Sequence, residues 1–231
     1  MKVAIMQPYF FPYIGYFQLI DSVDVFVVYD NIQYTKKGWI NRNRFLQNGK
    51  GAYFTIPLQK SSDYLSVIDR TVALEFNKER LLNQLNAAYK KAPNFLQLFH
   101  IFEDCILHEE TNLFKYIYYS IKKMVDELDI HTKMIVSSSV NIDHSLRGQD
   151  KVMAICKELN ANIYINAIGG VDLYSKEVFA DNGIELRFIK SKQIEYKQFN
   201  NGFVPWLSII DIMMFNDFNI VKEMLKNHDV I

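Results

Sequence analysis

Two prolines, Pro8 and Pro12, stand between apolar runs near the start of the chain and limit its local structure more than any other feature. Residues 2 to 34 read KVAIMQPYFFPYIGYFQLIDSVDVFVVYDNIQY. Each proline fixes its own φ, lacks an N–H and pushes the preceding residue out of the helical region. Gln7 and Phe11 are therefore expected to be extended, in a stiff loop. Lys2 to Met6 has the length and apolarity of a strand, Tyr13 to Asp21 has helical spacing, and Val23 to Tyr29 is a second apolar run. The order is strand, loop, helix, strand. Val25 to Tyr29 is apolar enough to be buried on both faces, and it ends at Asp30-Asn31. In open α/β sheets ligands gather beyond the carboxyl ends of strands, beside helix N-termini. Gln7, Tyr9 and Asp30 are thus expected to meet at one crevice.

Beyond Asp30, the stretch Asn31 to Arg44 reads as a loop rich in amides, cations and aromatics, with Lys36, Lys37, Arg42 and Arg44 close together. A basic loop is most simply a solvated one. Arg42, bracketed by Asn41 and Asn43 and following Trp39, also suits phosphate or carboxylate recognition. Ala52 to Leu58 reads as a strand entered through Gly49-Lys50-Gly51, and Val67 to Ala73 as another. A helical section runs from Asn77 to about Leu128, broken at Pro93, with apolar stripes such as Leu81, Leu82 and Leu85. It is expected as an α-helical insertion over residues 76–130 of a single domain spanning 1–231. The α/β rhythm then resumes: strand Met134 to Ser138, helix Arg147 to Leu159, strand Ile163 to Asn166, helix Leu173 to Asp181, strand Ile184 to Ile189. Consecutive strand–helix–strand units predict an α/β fold, a mostly parallel sheet with helices on both faces. Gly169-Gly170 would let backbone approach a ligand at a strand end, and Asp172 would cap the following helix. Ser208 and Asp211, three apart, read as helix-capping residues.

Charge and cysteine usage narrow the function classes. Lys plus Arg and Asp plus Glu both number 26, so no global basic field gathers nucleic acid. Cys105 and Cys156 lie far apart in helical surroundings, which fits a reduced, cytoplasmic protein. Pro8 and Pro12 interrupt any leader-like run, and no apolar run is long enough to span a bilayer. His100 and His108 lack a third ligand at metal spacing, so no metal is expected. Aromatics reach 14%; an AT-rich coding preference explains the bulk, leaving the N-terminal cluster as the exception.

No Ser-His-Asp order, Walker sequence or GxGxxG is present. Polar residues at strand ends remain, and they suit transfer chemistry on an activated substrate. Asp30 and Arg42 are the catalytic candidates: Arg42 to hold a phosphate or carboxylate, Asp30 to orient an attacking amine or a ribose hydroxyl. Gln7, Tyr9, Tyr16, Gln33, Lys36, Asn41, Asn43, Asn166, Gly170, Asp172, Tyr174, Tyr196 and Gln198 are the substrate-binding candidates.

QPYFFPYIGYF at 7–17, DVFVVYDNIQYTKKGWINRNR at 24–44, YINAIGGVDLY at 164–174, EYKQF at 195–199 and FVPWLSIIDIMMFN at 203–216 together resemble the WbqC-like family of bacterial proteins. That family often has Trp where this chain has Tyr13. The resemblance implies a setting in polysaccharide and O-antigen biosynthesis, with a transferase that adds an aminoacyl or glycyl group to a nucleotide-linked amino sugar. A non-catalytic scaffold of a glycan assembly complex is the alternative. It carries Pro8, Pro12, Gly15, Ser208 and Asp211 into the candidate set beside the residues above. The N-terminal strand, loop and helix also resemble the Rossmann-like, nucleotidyltransferase-like site where adenylate-forming enzymes hold phosphate, so ATP is an open cofactor. The His-x-Gly-His signature of those enzymes is replaced here by Tyr13-Ile-Gly-Tyr16. Homo-oligomerisation is left open.

Overall fold

The structure is a computed structural model that describes residues 1–200 and 202–231. Its centre is a six-stranded sheet of β1 (Lys2–Met6), β2 (Val25–Val28), β5 (Lys133–Val136), β6 (Ile163–Ala167), β7 (Glu185–Ser191) and β8 (His228–Val230). The spatial order is β5-β2-β1-β6-β7-β8, with all neighbours parallel except β7 and β8. Counted in chain order, the five parallel strands stand third, second, first, fourth, fifth. The order reverses beside β1, so loops after β1 and β6 leave the sheet toward opposite faces and open a crevice between them.

Each face buries its own core. Ala4, Phe26, Val28, Ile165 and Ile189 point to a large cluster with α1 (Ile14–Asp21), α2 (Lys78–Tyr89), α3 (Phe95–Leu107), α4 (Leu113–Glu127), α7 (Ile209–Phe215) and α8 (Phe218–Lys226). Val3, Ile5, Val25, Val27, Leu186 and Phe188 point the other way, to α5 (Gly148–Glu158) and α6 (Lys176–Asp181). The two-sided burial is what the unbroken apolar runs of β1 and β2 require. α1 is buried nearly all round, and its Gln18 is satisfied inside the core. Gln18 Nε2 donates to the carbonyls of Met224 (2.7 Å) and Asn227 (3.2 Å), and its Oε1 accepts from Ser191 Oγ at 2.5 Å. No helix among the described residues is long and apolar enough to cross a membrane.

Several expectations change. Arg42–Gln47 is strand β3, paired antiparallel with β4 (Lys50–Thr55) across Asn48-Gly49, so the polar loop ends earlier than expected and β4 ends before Leu58. Val67 to Ala73 is not a strand: Val67–Asp69 is a 3₁₀ turn, and residues 71 and 72 make isolated bridges. The helical section breaks a second time between Leu107 and Leu113. The helix expected from Leu173 begins at Lys176, after a 3₁₀ stretch Ile168–Leu173, and Ser175 rather than Asp172 caps it by accepting from Val178 N. Phe11 is not extended: its φ is 42°, in the left-handed region. Packing of Phe11 against Phe54 and Phe102 in the core outweighs the pre-proline preference.

Candidate functional site

The loop Gln7–Pro12 is pinned from outside. Asn43 Nδ2 donates to the carbonyls of Phe11 (2.8 Å) and Phe10 (3.3 Å), and Phe10 N donates to Ile40 O at 3.0 Å. Ile209 N donates to Pro12 O at 2.9 Å, joining the loop to α7. These bonds hold Phe11 in its left-handed conformation. Lys37 and Trp206 also have positive φ, both 61°, so backbone strain gathers around this loop.

Beside it, between the carboxyl ends of β1 and β6, lies a cleft of about 540 Å³. Met6 and Ala167 form its floor, and Tyr9, Tyr13, Tyr16, Trp39 and Trp206 its aromatic walls. Pro12, Gly15, Leu19, Asn43 and Arg44 complete it. Three features mark it as a place for a ligand. α1 starts at the cleft with Tyr13 at its N-cap and no side-chain cap, leaving backbone donors for an anion. Arg44 lies half-buried against Gly51, and among the described residues no carboxylate pairs with it. Tyr16 is 6% exposed, and its hydroxyl is buried without a partner. Burial raises the phenol pKa values of Tyr9, Tyr13 and Tyr16, so these walls are neutral at physiological pH.

Of the residues singled out in the sequence, Tyr9, Tyr16 and Asn43 line this cleft, and Gln7 is in the pinned loop next to it. Pro12 and Gly15 line it too, and the other candidates fall elsewhere. Asp30 is fully buried at the end of β2, across β1 from the cleft. Its carboxylate accepts from Ser137 Oγ (2.7 Å), Ser138 N (3.0 Å) and Ser138 Oγ (2.6 Å). Lys151 of α5 lies near it, over the Tyr29 ring, and burial lowers its pKa while Asp30 offsets part of that shift. Arg42 clasps the preceding turn, with Nε donating to Gly38 O at 2.9 Å, one Nη to Lys37 O, and the guanidinium over Trp39 and Tyr53. Gln33 bridges to Ser66 and donates to Asp63 O, and Lys36 forms an exposed pair with Asp63 at 2.8 Å. Asn41 donates to Ile56 O and accepts from Tyr34. Asn166 accepts from Ala167 N, and Gly170 packs so closely on its amide that a Cβ there would meet Nδ2 at 2.9 Å. Tyr174 packs edge-on to Tyr164, and Asp172 is exposed.

Tyr196 and Gln198 belong to a different centre. Both donate to Asp211 Oδ2 at 2.6 Å, while Tyr89 Oη donates to Oδ1 at 2.9 Å. Ser208 does cap α7, accepting from Ile210 N, but Asp211 turns inward instead of completing a cap. Burial raises the Asp211 pKa, offset in part by its three donors.

Arg44, Trp39, Tyr13 and Trp206 were not singled out as ligand-facing from the sequence. One signal was present: Asn48-Gly49 between RNRFLQ and KGAYFT is a hairpin turn, and period-two alternation then puts Arg42 and Arg44 on one face. Trp206 offered no such signal, because it reaches Tyr13 (centroids 5.1 Å apart) only through the tertiary fold.

Comparison with known proteins gives a lineage. A family model described as the WbqC-like protein family matches residues 7–223. An uncharacterized protein of Mycobacterium tuberculosis is 28% identical over 235 residues, covering 96% of this chain and 95% of that protein. No solved structure matches.

Proposed function

This chain belongs to the WbqC-like protein family, and from that premise we propose that it is a transferase of bacterial surface-polysaccharide biosynthesis. The reaction we propose adds an aminoacyl group to a nucleotide-linked amino sugar in the cytoplasm. The sheet is read as Rossmann-like, with the three helices between β4 and β5 as an insertion in one domain. What carries the reading is the cleft: a half-buried arginine without an acidic partner and an uncapped helix start, set among aromatic rings at the point where strand order reverses. Guanidinium and free backbone N–H groups suit a diphosphate. Aromatic walls suit a base or the apolar face of a sugar. The orphan Tyr16 hydroxyl would find its partner on the ligand.

In this reading Arg44 takes the anion-holding role first assigned to Arg42, and Arg42 positions Trp39. Asp30, whose acceptors are engaged by serines, keeps the β2 and β5 loops together. One observation favours the second reading, a glycan-binding scaffold: no carboxylate lines the cleft among the described residues. Thermal shift with ATP, UDP- and dTDP-sugars and glycine separates the two. A ligand at a hundred times its Kd stabilises by about 2.7 kcal/mol. A nucleotide-dependent shift that is lost in Arg44→Ala and only reduced in Arg42→Ala, which loosens Trp39, supports the transferase site. Shifts with free glycans only, or none at all, would overturn it.

A further inference from the structure

A second cavity of about 440 Å³ lies behind the first, and Tyr13 and Trp206 line both. Trp206 is 60% exposed, so the partition is a rim residue that a ligand can pass. Tyr196, Phe203, Gln193 and Lys190 line the far side. Tyr196 is the chemically distinctive member, because its hydroxyl donates to the fully buried Asp211 at 2.6 Å. A phenol oxygen that donates can still accept. We infer that this second cavity receives the amino-sugar half of a ligand whose nucleotide half occupies the first cleft, and that Tyr196, backed by Asp211, takes the proton that the sugar's amine releases. The inference rests on the proposed function and adds the acceptor subsite and its proton path.

In the transfer step the amine nitrogen attacks the carbonyl carbon of an activated acyl donor, an acyl phosphate or acyl adenylate. The N–C bond forms, the C–O bond to phosphate breaks, and its electron pair leaves with the phosphate. The surplus proton on nitrogen passes to Tyr196 Oη as the proton of that hydroxyl moves to Asp211 Oδ2. Asp211 suits this work because burial makes it a stronger proton acceptor than an ordinary carboxylate, and its facing groups, Tyr89, Tyr196 and Gln198, include no cation to suppress that. Tyr196 is the residue in contact with substrate; Asp211 acts through it as a positioning residue.

Calorimetric titration of the whole chain with UDP, dTDP, UDP-glucose and UDP-glucosamine tests this. UDP-glucosamine is expected to bind about tenfold tighter than UDP-glucose, through its amine donating to Tyr196 Oη, which Asp211 backs. Tyr196→Phe keeps the ring and its packing; it should erase that preference and leave UDP affinity unchanged. Asp211→Asn should do the same, a selective loss that a merely structural role would not produce. Equal affinity for the two sugars in the wild-type protein, or a preference that survives Tyr196→Phe, overturns the acceptor subsite while UDP binding stands. Absence of binding of both UDP and dTDP to the wild-type protein overturns the transferase reading itself, and the subsite with it.

Discussion

Replacing Asp211 by Ala tests the most connected polar centre of the core. Its carboxylate accepts from Tyr89 of α2, from Tyr196 and from Gln198, and Tyr89 Oη in turn accepts from Leu46 N of β3 at 2.9 Å. One side chain on α7 therefore joins two other elements and the segment around 196–198. Without it, the Tyr89 hydroxyl and the Gln198 amide become buried donors lacking this acceptor, while Tyr196, lining a cavity, can be hydrated. Each orphaned donor costs about 1–3 kcal/mol, so the loss should be about 4 kcal/mol. For a chain of this size that is a fall in Tm of about 8–16 °C. Urea unfolding at several pH values measures it.

The sign of the pH dependence follows from the raised pKa. Above the ordinary carboxylate value the unfolded chain has released this proton while the folded protein still holds it. The stability from Asp211 is thus fullest below about pH 4 and is lost as pH rises through the folded value. The gap between wild type and Asp211→Ala should be widest in acid and narrow toward neutrality. A loss under about 1 kcal/mol, or a gap that widens with pH, would refute the account of this centre.

Other expectations come from the same geometry. A Cβ on Gly15 would lie 2.7 Å from Ser191 Oγ, itself bonded to Gln18, so Gly15→Ala should cost about 1–3 kcal/mol in chemical denaturation. Ser191→Ala removes the clashing oxygen but also orphans Gln18 Oε1, so the clash is read from the double-mutant cycle: Gly15→Ala should cost less in the Ser191→Ala background than in the wild type, and an equal cost in both would contradict it. Tyr16→Phe removes a hydroxyl with no partner and should raise the stability of the ligand-free protein by about 1 kcal/mol, while weakening nucleotide binding about tenfold; destabilisation would mean that the hydroxyl is satisfied. Cys105 and Cys156 are buried, and burial pushes both thiols up to about 12, so a thiol-specific colorimetric reagent at pH 8 should react only after denaturant is added.

The sequence by itself determined much of the framework. Apolar runs at 2–6 and 23–29 and the striped helical section from Asn77 to about Leu128 are set by local periodicity; the structure has strands at 2–6 and 25–28 and helices at 78–89, 95–107 and 113–127. The loop at the end of β1 was legible because the prolines force one there, but the expected meeting with Asp30 was not, since Asp30 lies buried across β1 from the cleft. Only the tertiary structure decided which side chains face it. Arg42 and Arg44 share a strand face, yet one curls back onto the carbonyls of residues 37 and 38 while the other meets the cleft, a choice made by long-range packing. Phe11 and Trp206 take left-handed backbone that their own sequence disfavours, because bonds from residues far along the chain hold the loops that carry them. Asp211 shows the limit most clearly. Spacing marks it as a capping residue, but three donors from residues 13 to 122 positions away draw it into the core, and side-chain partners at that separation leave no trace in local pattern.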